Sequence, residues 1–226
     1  MKTLSFVALA STLALGVAAV HAADNRFDIG VANVSMHARA DDISGRFVPA
    51  GVNLSVGDAT TLFVAYTRVL SDHFEAQLSG GWPPTYETTG KGVASLGSLP
   101  WAGQKVGTAK EIAPSAFINY SFTGRQALWQ PYLGLGVNYT HFADVKSTAA
   151  NDAANGGPTS VALTNSHGMA AKLGLRYRYD PRWSFNVHLS TARVHSRLTT
   201  NTAGIMRTTQ IDFRPQVLVL SGGYAF

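Results

Sequence analysis

Leu133-Gly134-Leu135-Gly136-Val137-Asn138-Tyr139 is the stretch that decides the fold of this 226-residue chain, because apolar residues alternate along it with small or polar ones. Alternation with a period of two places the apolar side chains on one face of a strand and the others on the opposite face. The stretch therefore predicts a β-strand with one apolar surface and one surface of small and polar side chains.

Seven further segments alternate in the same way, at about 27–37, 62–70, 74–82, 116–122, 169–179, 183–190 and about 207–226. Their connections alternate in length, with the shorter ones at 71–73, 123–130 and 180–182 and the longer ones at about 39–58, 87–110, 145–165 and 199–207. Outer-membrane barrels have short periplasmic turns and longer outside loops. We therefore predict an all-β fold, an eight-stranded antiparallel up-and-down transmembrane β-barrel with both ends in the periplasm.

The composition supports a membrane barrel over a soluble domain. Charged residues make up 14% of the chain, whereas about 25% is usual in soluble domains. The mean hydropathy is nevertheless only +0.04, so the chain is not a stack of apolar helices.

The composition also excludes two kinds of site. The chain has no cysteine, so it has no disulfide framework and no thiolate metal site. The net charge of +5 is dispersed rather than clustered, so we predict no nucleic-acid partner.

The first residues have the pattern of a secretory signal. Lys2 is followed by an apolar run over 4–20 and by Val20-His21-Ala22, which has small residues where a signal peptidase cuts. A buried helix or membrane anchor is the alternative, but the run is shorter than the roughly 20 residues of a spanning helix. We predict a cleaved signal peptide at 1–22, a barrel domain at 23–226, and export to the outer membrane of a Gram-negative bacterium.

Aromatic residues collect beside the short connections and at the C-terminus. They are Phe74, Tyr120, Phe122, Trp129, Tyr177, Tyr179, Trp183, Phe185, Tyr224 and Phe226. In a barrel these positions lie at one rim, where they form an aromatic girdle at a membrane interface.

Two of the longer outer connections are expected to be mobile. The residues of the segment 149–158 are too small and polar to bury apolar area, so we expect a mobile loop there. The Gly-rich span 90–107 is expected to be mobile as well.

Several motifs of the chain are more specific than its alternation. The clearest is Gln130-Pro131-Tyr132-Leu133-Gly134-Leu135-Gly136-Val137-Asn138-Tyr139-Thr140. It is similar to a Pro-Tyr-x-Gly-x-Gly-x-Asn-Tyr strand of the OmpW/AlkL family of small outer-membrane β-barrels. Ala113-Pro114-Ser115, Arg182-Trp183 and the C-terminal Ser221-Gly222-Gly223-Tyr224-Ala225-Phe226 also fit. Tyr224 and Phe226 resemble the C-terminal signal that the barrel-assembly machinery reads in many outer-membrane barrels.

The resemblance implies passive uptake of small hydrophobic molecules, with an apolar interior that opens sideways into the bilayer. The partners it implies are outer-membrane lipid, small hydrophobic solutes and, during biogenesis, the assembly machinery; we predict a monomer. A structural or adhesive barrel that acts through its outer loops is the alternative. No pattern indicates a cofactor.

The strand phase predicts which side chains line the lumen. If Phe226 faces lipid, then Phe213, Val217 and Val219 point inward, and the same reasoning turns Phe63, Val69 and Phe117 inward. The strand phase fits two arrangements equally well: these residues can line an open cavity, or they can fill a solid barrel. Lys172, Arg176 and Arg178 also point inward, and we expect them to pair with Glu75 or Gln77, because isolated buried charges are costly.

Catalytic and metal sites find little support in the sequence. His188 and Ser190 share a strand face, as in barrel enzymes that deacylate lipid, but the nearest downstream acid is Asp212 on another predicted strand. His188 and His195 are seven residues apart and lie on opposite faces, so they cannot chelate one ion. Gly134 and Gly136 lack the third glycine of a nucleotide fingerprint, and close packing inside the barrel explains them better. We predict no enzyme activity.

Overall fold

The computed structural model describes residues 24–92, 95–96 and 99–226, so the predicted signal peptide at 1–22 lies outside the described residues. The strands and the helix of the described part are β1 Asn25–Met36, β2 Arg39–Ala40, β3 Ser44–Gly45, β4 Asn53–Val56, β5 Ala59–Val69, β6 Phe74–Gly81, β7 Thr85–Lys91, β8 Ser95–Leu96, β9 Leu99–Pro100, β10 Lys105–Ile112, β11 Ser115–Ser121, β12 Trp129–Ser147, α1 Ala149–Asn155, β13 Thr159–Leu163, β14 Ser166–Arg178, β15 Trp183–Ala192, β16 Val194–Thr202, β17 Ile205–Phe213 and β18 Pro215–Ala225.

Eight of these strands close into an antiparallel barrel in the order β1, β5, β6, β11, β12, β14, β15 and β18. The ring closes where β18 pairs with β1 in a register that runs from Arg26–Ala225 to Met36–Pro215. Each strand pairs with its neighbours along the chain. The three predicted short turns join β5 to β6, β11 to β12 and β14 to β15. The predicted eight-stranded up-and-down barrel is confirmed.

The barrel wall has the alternation predicted from β12. Leu133, Leu135 and Val137 point outward, and Leu135 exposes 61% of its surface, whereas Tyr132 and Asn138 point inward and are buried. Neighbouring strands show the same pattern, so the outer surface is a continuous apolar band. A band of this kind faces hydrocarbon, where exposed leucine and valine side chains are stable.

The predicted aromatic girdle is also confirmed. Ring centroids lie 4.8 to 5.3 Å apart in three pairs at the short-turn end, Trp129–Tyr177, Trp183–Tyr224 and Phe74–Tyr120. These pairs lie on neighbouring strands and most of the rings are exposed. Tryptophan and tyrosine rings are favoured at the membrane–water interface, so this rim lies at the level of the lipid headgroups.

The barrel continues beyond the membrane on the opposite side as an outer extension. β12 has 19 residues, whereas about 9–11 span a bilayer. Strands β4, β7 and β10 extend the barrel sheet, and β13, β16, β17 and β2 form a second sheet to which β3 adds. The long outer connections predicted at 39–58, 87–110, 145–165 and 199–207 contain these strands, which form by pairing with distant parts of the chain.

The outer extension has an apolar core of its own. Its buried members are Val52, Leu54, Trp101, Val106, Val194, Leu198, Ile211 and Phe213. Two of them, Trp101 and Val106, come from the span 90–107 for which we expected only a Gly-rich loop. Side chains from distant segments of the chain are buried against one another and hold the outer extension together. Contacts of this kind leave no local periodic signal in the sequence.

Helix α1 lies in the segment that we expected to bury nothing, and that expectation is wrong. Thr148 caps its N-terminus by accepting a hydrogen bond from the Asn151 amide at 3.2 Å, and Gly156 ends it with a φ of 80°. Ala154 packs against the outer core. Within the described ranges, no helix has the length and apolar character needed to cross a membrane.

The eighth predicted strand, 207–226, is divided in two at Arg214. β17 pairs with β16 in the second sheet, whereas β18 pairs with β1 and β15 in the barrel wall. Pro215 begins β18, and a proline has no backbone N–H to donate to a ladder. The break changes the position of Phe213, which belongs to the outer extension rather than to the barrel wall.

Candidate functional site

The lower part of the barrel interior, next to the short turns, is filled by a charged layer. Its five buried ionisable side chains are Arg26, Asp28, Glu75, Lys172 and Arg176. Arg176 donates from both terminal nitrogens to the two oxygens of Glu75, at 2.7 Å each. Arg26 donates to the same carboxylate at 3.2 and 3.3 Å, and to Asp28 at 3.1 Å. The predicted pairing of Arg176 with Glu75 is confirmed.

Lys172 forms the upper boundary of this charged layer. Its ammonium donates to the side-chain oxygen of Gln77, as expected, and lies 4.2 Å from the centroid of the Phe117 ring. A Cβ on Gly134 would lie 2.7 Å from the Lys172 Cε, so a glycine at this position leaves room for the lysine to cross the lumen. Arg178 instead donates to Gln126 at 3.1 Å, so its predicted pairing with Glu75 or Gln77 was wrong.

Above Lys172 the interior is lined mainly by apolar side chains and contains a lumen cavity of about 130 Å³. Phe63, Phe117, Val217 and Val219 line it, and Val219 is only 1% exposed. An apolar protein cavity of about 150 Å³ is large enough to hold a benzene molecule. The lumen cavity is therefore of a size that suits a small ring or a short hydrocarbon chain.

The other two residues of the predicted lining lie at different levels. Val69 lies beside Arg26 and Glu75, at the periplasmic edge of the charged layer. Phe213 packs in the outer core, where its ring centroid is 5.6 Å from that of Phe142. Phe213, Val217 and Val219, which were expected to point inward along one strand, are thus divided between the lumen cavity and the outer core. Contact of any of these side chains with a solute stays a prediction.

Tyr224 and Phe226 lie at the lower rim. Tyr224 packs against Trp183, and the Phe226 amide donates to the Asn25 carbonyl at 2.8 Å across the closure of the barrel. Phe226 remains half exposed on the outer surface. Their recognition by the assembly machinery stays a prediction.

The barrel wall is interrupted beside the lumen cavity, at a place we call the seam, which comprises residues 80–84 and 112–114. Pairing of β6 with β11 stops at Ser79 and Ser115, and the next bond across is donated by the Glu111 amide to the Pro84 carbonyl at 3.2 Å. Prolines 83, 84 and 114 cannot donate to a ladder. Gly80, Gly81 and Ala113 line the cavity, so the cavity reaches the seam.

Tyr86 and Glu111 form a polar pair at the outer end of the lumen cavity. Both are buried and line it, and the Tyr86 hydroxyl donates a hydrogen bond to the Glu111 carboxylate. The second carboxylate oxygen, Oε2, has no hydrogen-bond partner in the described chain. Burial raises the pKa of Glu111 to about 7, and burial together with the Glu111 charge raises the pKa of Tyr86. Sequence reasoning missed this pair because Tyr86 and Glu111 lie between the predicted strands 74–82 and 116–122, one at each end of the long connection.

The polar pair considered for catalysis also lies at the lumen cavity. His188 and Ser190 both line it, and the His188 ring meets Phe63 edge-on with 5.4 Å between centroids. Asp212 lies in the outer extension, where it pairs with His195 at 3.2 Å and with Arg214 at 2.8 Å. The acid considered for the triad is therefore engaged by two other residues.

Comparison with known proteins agrees with this geometry. A model of the OmpW family matches residues 23–226, a range that includes every described residue. The chain belongs to the OmpW family. Members of this family are outer-membrane barrels, so the outward apolar band of this OmpW-family barrel faces the outer-membrane bilayer.

The similarity to individual relatives extends over almost the whole chain. Outer membrane protein W of Vibrio cholerae is 27% identical over 87% of this chain and 86% of its own length. The Escherichia coli K12 protein of the same name is 25% identical over the full length of both. The crystal structure of OprG from Pseudomonas aeruginosa superposes with a TM-score of 0.80 at 25% identity, covering 91% of this chain and 97% of OprG. The resemblance to the family inferred from the motif at 130–140 is confirmed.

Proposed function

We propose that this OmpW-family barrel admits small apolar molecules from outside the cell into its lumen cavity and releases them sideways into the outer membrane. The observation that carries the proposal is the order of the layers inside the barrel. An apolar cavity lies directly above a charged layer that fills the lumen, and the cavity reaches an interruption in the wall.

The charged layer argues against passage along the whole barrel axis. Glu75 is held between Arg26 and Arg176, and Lys172 crosses the lumen above them. Moving an apolar molecule through this layer would leave buried charges without partners, at a cost of several kcal/mol (about 3–5 for each broken pair). A solute in the lumen cavity therefore has a more favourable exit at the side than at the periplasmic mouth.

The seam supports a lateral exit. Three prolines remove backbone donors there, so fewer hydrogen bonds have to break than in a continuous ladder. The lipid-facing residues Leu62 and Trp82 also border the lumen cavity. A molecule that leaves through the seam passes from one apolar environment into another, which costs little free energy because lipid tails are as apolar as the cavity lining.

Uptake by cells tests the proposal. Accumulation of radiolabelled octane would be compared between cells that produce the protein and cells that carry an empty vector. Val219→Arg and Val217→Arg each place a long cation in the lumen cavity. We expect the wild-type protein to accelerate uptake and both variants to reduce it to the empty-vector rate.

Val69→Arg is the matched control, because it introduces the same side chain at the periplasmic edge of the charged layer, away from the lumen cavity. Lateral exit predicts that this variant transports normally, whereas an axial route predicts that it is blocked. Heat-dependent migration on gels establishes that each variant is folded. Equal uptake in cells with and without the protein would refute transport and favour a structural or adhesive role of the outer extension.

A further inference from the structure

The outer extension contains a second cavity, distinct from the lumen cavity and larger. Its volume is about 490 Å³, and we call it the outer cavity. Most of its lining is apolar and includes Leu54, Trp101 and Leu198 from the outer core. Volumes of about 300–1,000 Å³ with apolar walls and a few polar groups are typical of small-molecule sites.

Arg207 on β17 is the buried charged group of this cavity. The residue is 9% exposed and lines the cavity directly. Its Nη1 donates to the Asn155 side-chain oxygen at 2.7 Å, and its Nε donates to the Arg46 carbonyl at 3.3 Å. Both acceptors are neutral, so the charge of the guanidinium is not compensated by either of them. Nη2 has no hydrogen-bond acceptor among the described residues.

The charges around the cavity all have one sign. Lys146 and Arg207 are its charged lining residues, and neither aspartate nor glutamate lines it in the described chain. The nearby carboxylate of Asp152 is bound by the Ser147 hydroxyl at 2.5 Å and by the Thr159 amide at 3.1 Å. Buried arginines are normally paired with an anion. An apolar chamber with one uncompensated guanidinium thus complements a molecule that has an apolar body and an anionic head.

We propose that the outer cavity binds small monocarboxylates with apolar tails, with the carboxylate on Arg207 and the tail among the outer-core side chains. The guanidinium can hold a carboxylate with two parallel hydrogen bonds, a geometry that a lysine ammonium does not reproduce. The outer cavity shares no lining residue with the lumen cavity, so this proposal does not depend on the transport step proposed above.

Quenching of Trp101 tests this assignment. The chain has four tryptophans, and changing Trp82, Trp129 and Trp183 to phenylalanine leaves the one that lines the outer cavity. The protein in lipid nanodiscs at about pH 8, where a carboxylic acid is ionised, would be titrated with ω-bromooctanoate and with ω-bromooctanol. We expect saturable quenching, with the carboxylate binding at least about tenfold more tightly than the alcohol.

Substitutions at Arg207 sharpen the test. Arg207→Met should weaken binding of the carboxylate by about tenfold or more and leave binding of the alcohol within about twofold. Arg207→Lys should retain an intermediate affinity for the carboxylate because the charge remains. Arg197→Met is the matched control, since Arg197 is an exposed arginine on the neighbouring strand β16 and does not line the cavity.

Equal binding of the acid and the alcohol by the wild-type protein would overturn the proposal, even if Arg207→Met failed to fold. An unchanged carboxylate affinity in folded Arg207→Met would overturn it as well. Because the assay measures binding to isolated protein, neither result bears on octane uptake through the lumen cavity.

Discussion

The membrane barrel and the outer extension of this molecule have opposite arrangements of polar and apolar side chains. In the barrel, the charged layer around Glu75 lies inside, and leucine and valine side chains lie outside. In the outer extension, the apolar core around Leu54 and Trp101 lies inside. The same closed β-architecture therefore has two opposite distributions of polarity.

The difference follows from the surrounding solvent. Hydrocarbon surrounds the barrel, so burying leucine inside it has no hydrophobic driving force, and paired charges hold the interior instead. Water surrounds the outer extension, so burial of apolar area stabilises it as in a soluble domain. The change of solvent coincides with the change of sheet at Arg214, where the chain passes from β17 to β18.

Removing the central carboxylate should have the largest effect on stability. Glu75→Ala would leave Arg26 and Arg176 buried beside each other without their shared partner. We expect a loss of about 3–5 kcal/mol in the free energy of unfolding, the usual result of breaking a buried ion pair. Urea-induced unfolding in phosphocholine vesicles, followed by tryptophan fluorescence, measures it.

Glu87→Gln is the control for this experiment, because Glu87 pairs with Lys105 on the exposed surface of the outer extension. We expect it to change the unfolding free energy by less than about 1 kcal/mol. Similar losses in the two variants would contradict the view that buried charges hold the barrel interior.

Truncating an outer-core side chain should destabilise the outer extension alone. Leu54→Ala opens a cavity beside Trp101, at an expected cost of about 2–4 kcal/mol. Hydrogen exchange should become faster in β4 and β7 but not in the membrane strands. Leu135→Ala removes the same atoms from the lipid-facing surface and should leave exchange in β4 and β7 unchanged. Equal acceleration in both regions would show that the two cores unfold as one unit.

The polar pair at the junction of the two regions predicts a smaller effect that depends on pH. The pKa of Glu111 is raised to about 7 in the folded protein by burial, compared with about 4.3 in an unfolded chain. The folded state therefore holds its proton more tightly, and its stability should decrease as the pH rises from about 4.3 to about 7. We expect a decrease of about 1–3 kcal/mol in the unfolding free energy over this window.

Glu111→Gln removes the titrating group and keeps the shape of the side chain. The unfolding free energy of this variant should lack the decrease that Glu111 causes between about pH 4.3 and about pH 7. Above about pH 7 the variant should be more stable than the wild-type protein. Unfolding measured at a series of pH values compares the two proteins. Parallel pH profiles would show that Glu111 does not titrate in this range.

Much of the membrane barrel could be predicted from local sequence patterns. Alternation at 133–139 identified β12, and the short connections at 71–73 and 180–182 identified turns. The pairing of Arg176 with Glu75 followed from strand phase and the cost of a buried charge. Each of these inferences depends on residues within one strand or on a general property of the solvent.

The outer extension and its cavity could not be predicted in this way. Trp101 lies in a predicted loop and Arg207 at the boundary between a predicted loop and the eighth predicted strand. The partners of both are far away in the chain, since Trp101 donates to Asn53 at 2.8 Å and Arg207 donates to Asn155. Such contacts carry no periodic signal, because a side chain buried by a distant segment has no fixed spacing to its neighbours.

The sequence by itself thus determined the eight membrane strands, their inward and outward faces and the family, because a period of two residues and a lipid exterior act locally on every strand. Tertiary structure alone decided that the outer segments form a second core, that Val69 lies at the periplasmic edge of the charged layer, and that Phe213 belongs to the outer core. Those outcomes depend on which distant strands pair and on where the sheet divides, and closure of the whole barrel sets both.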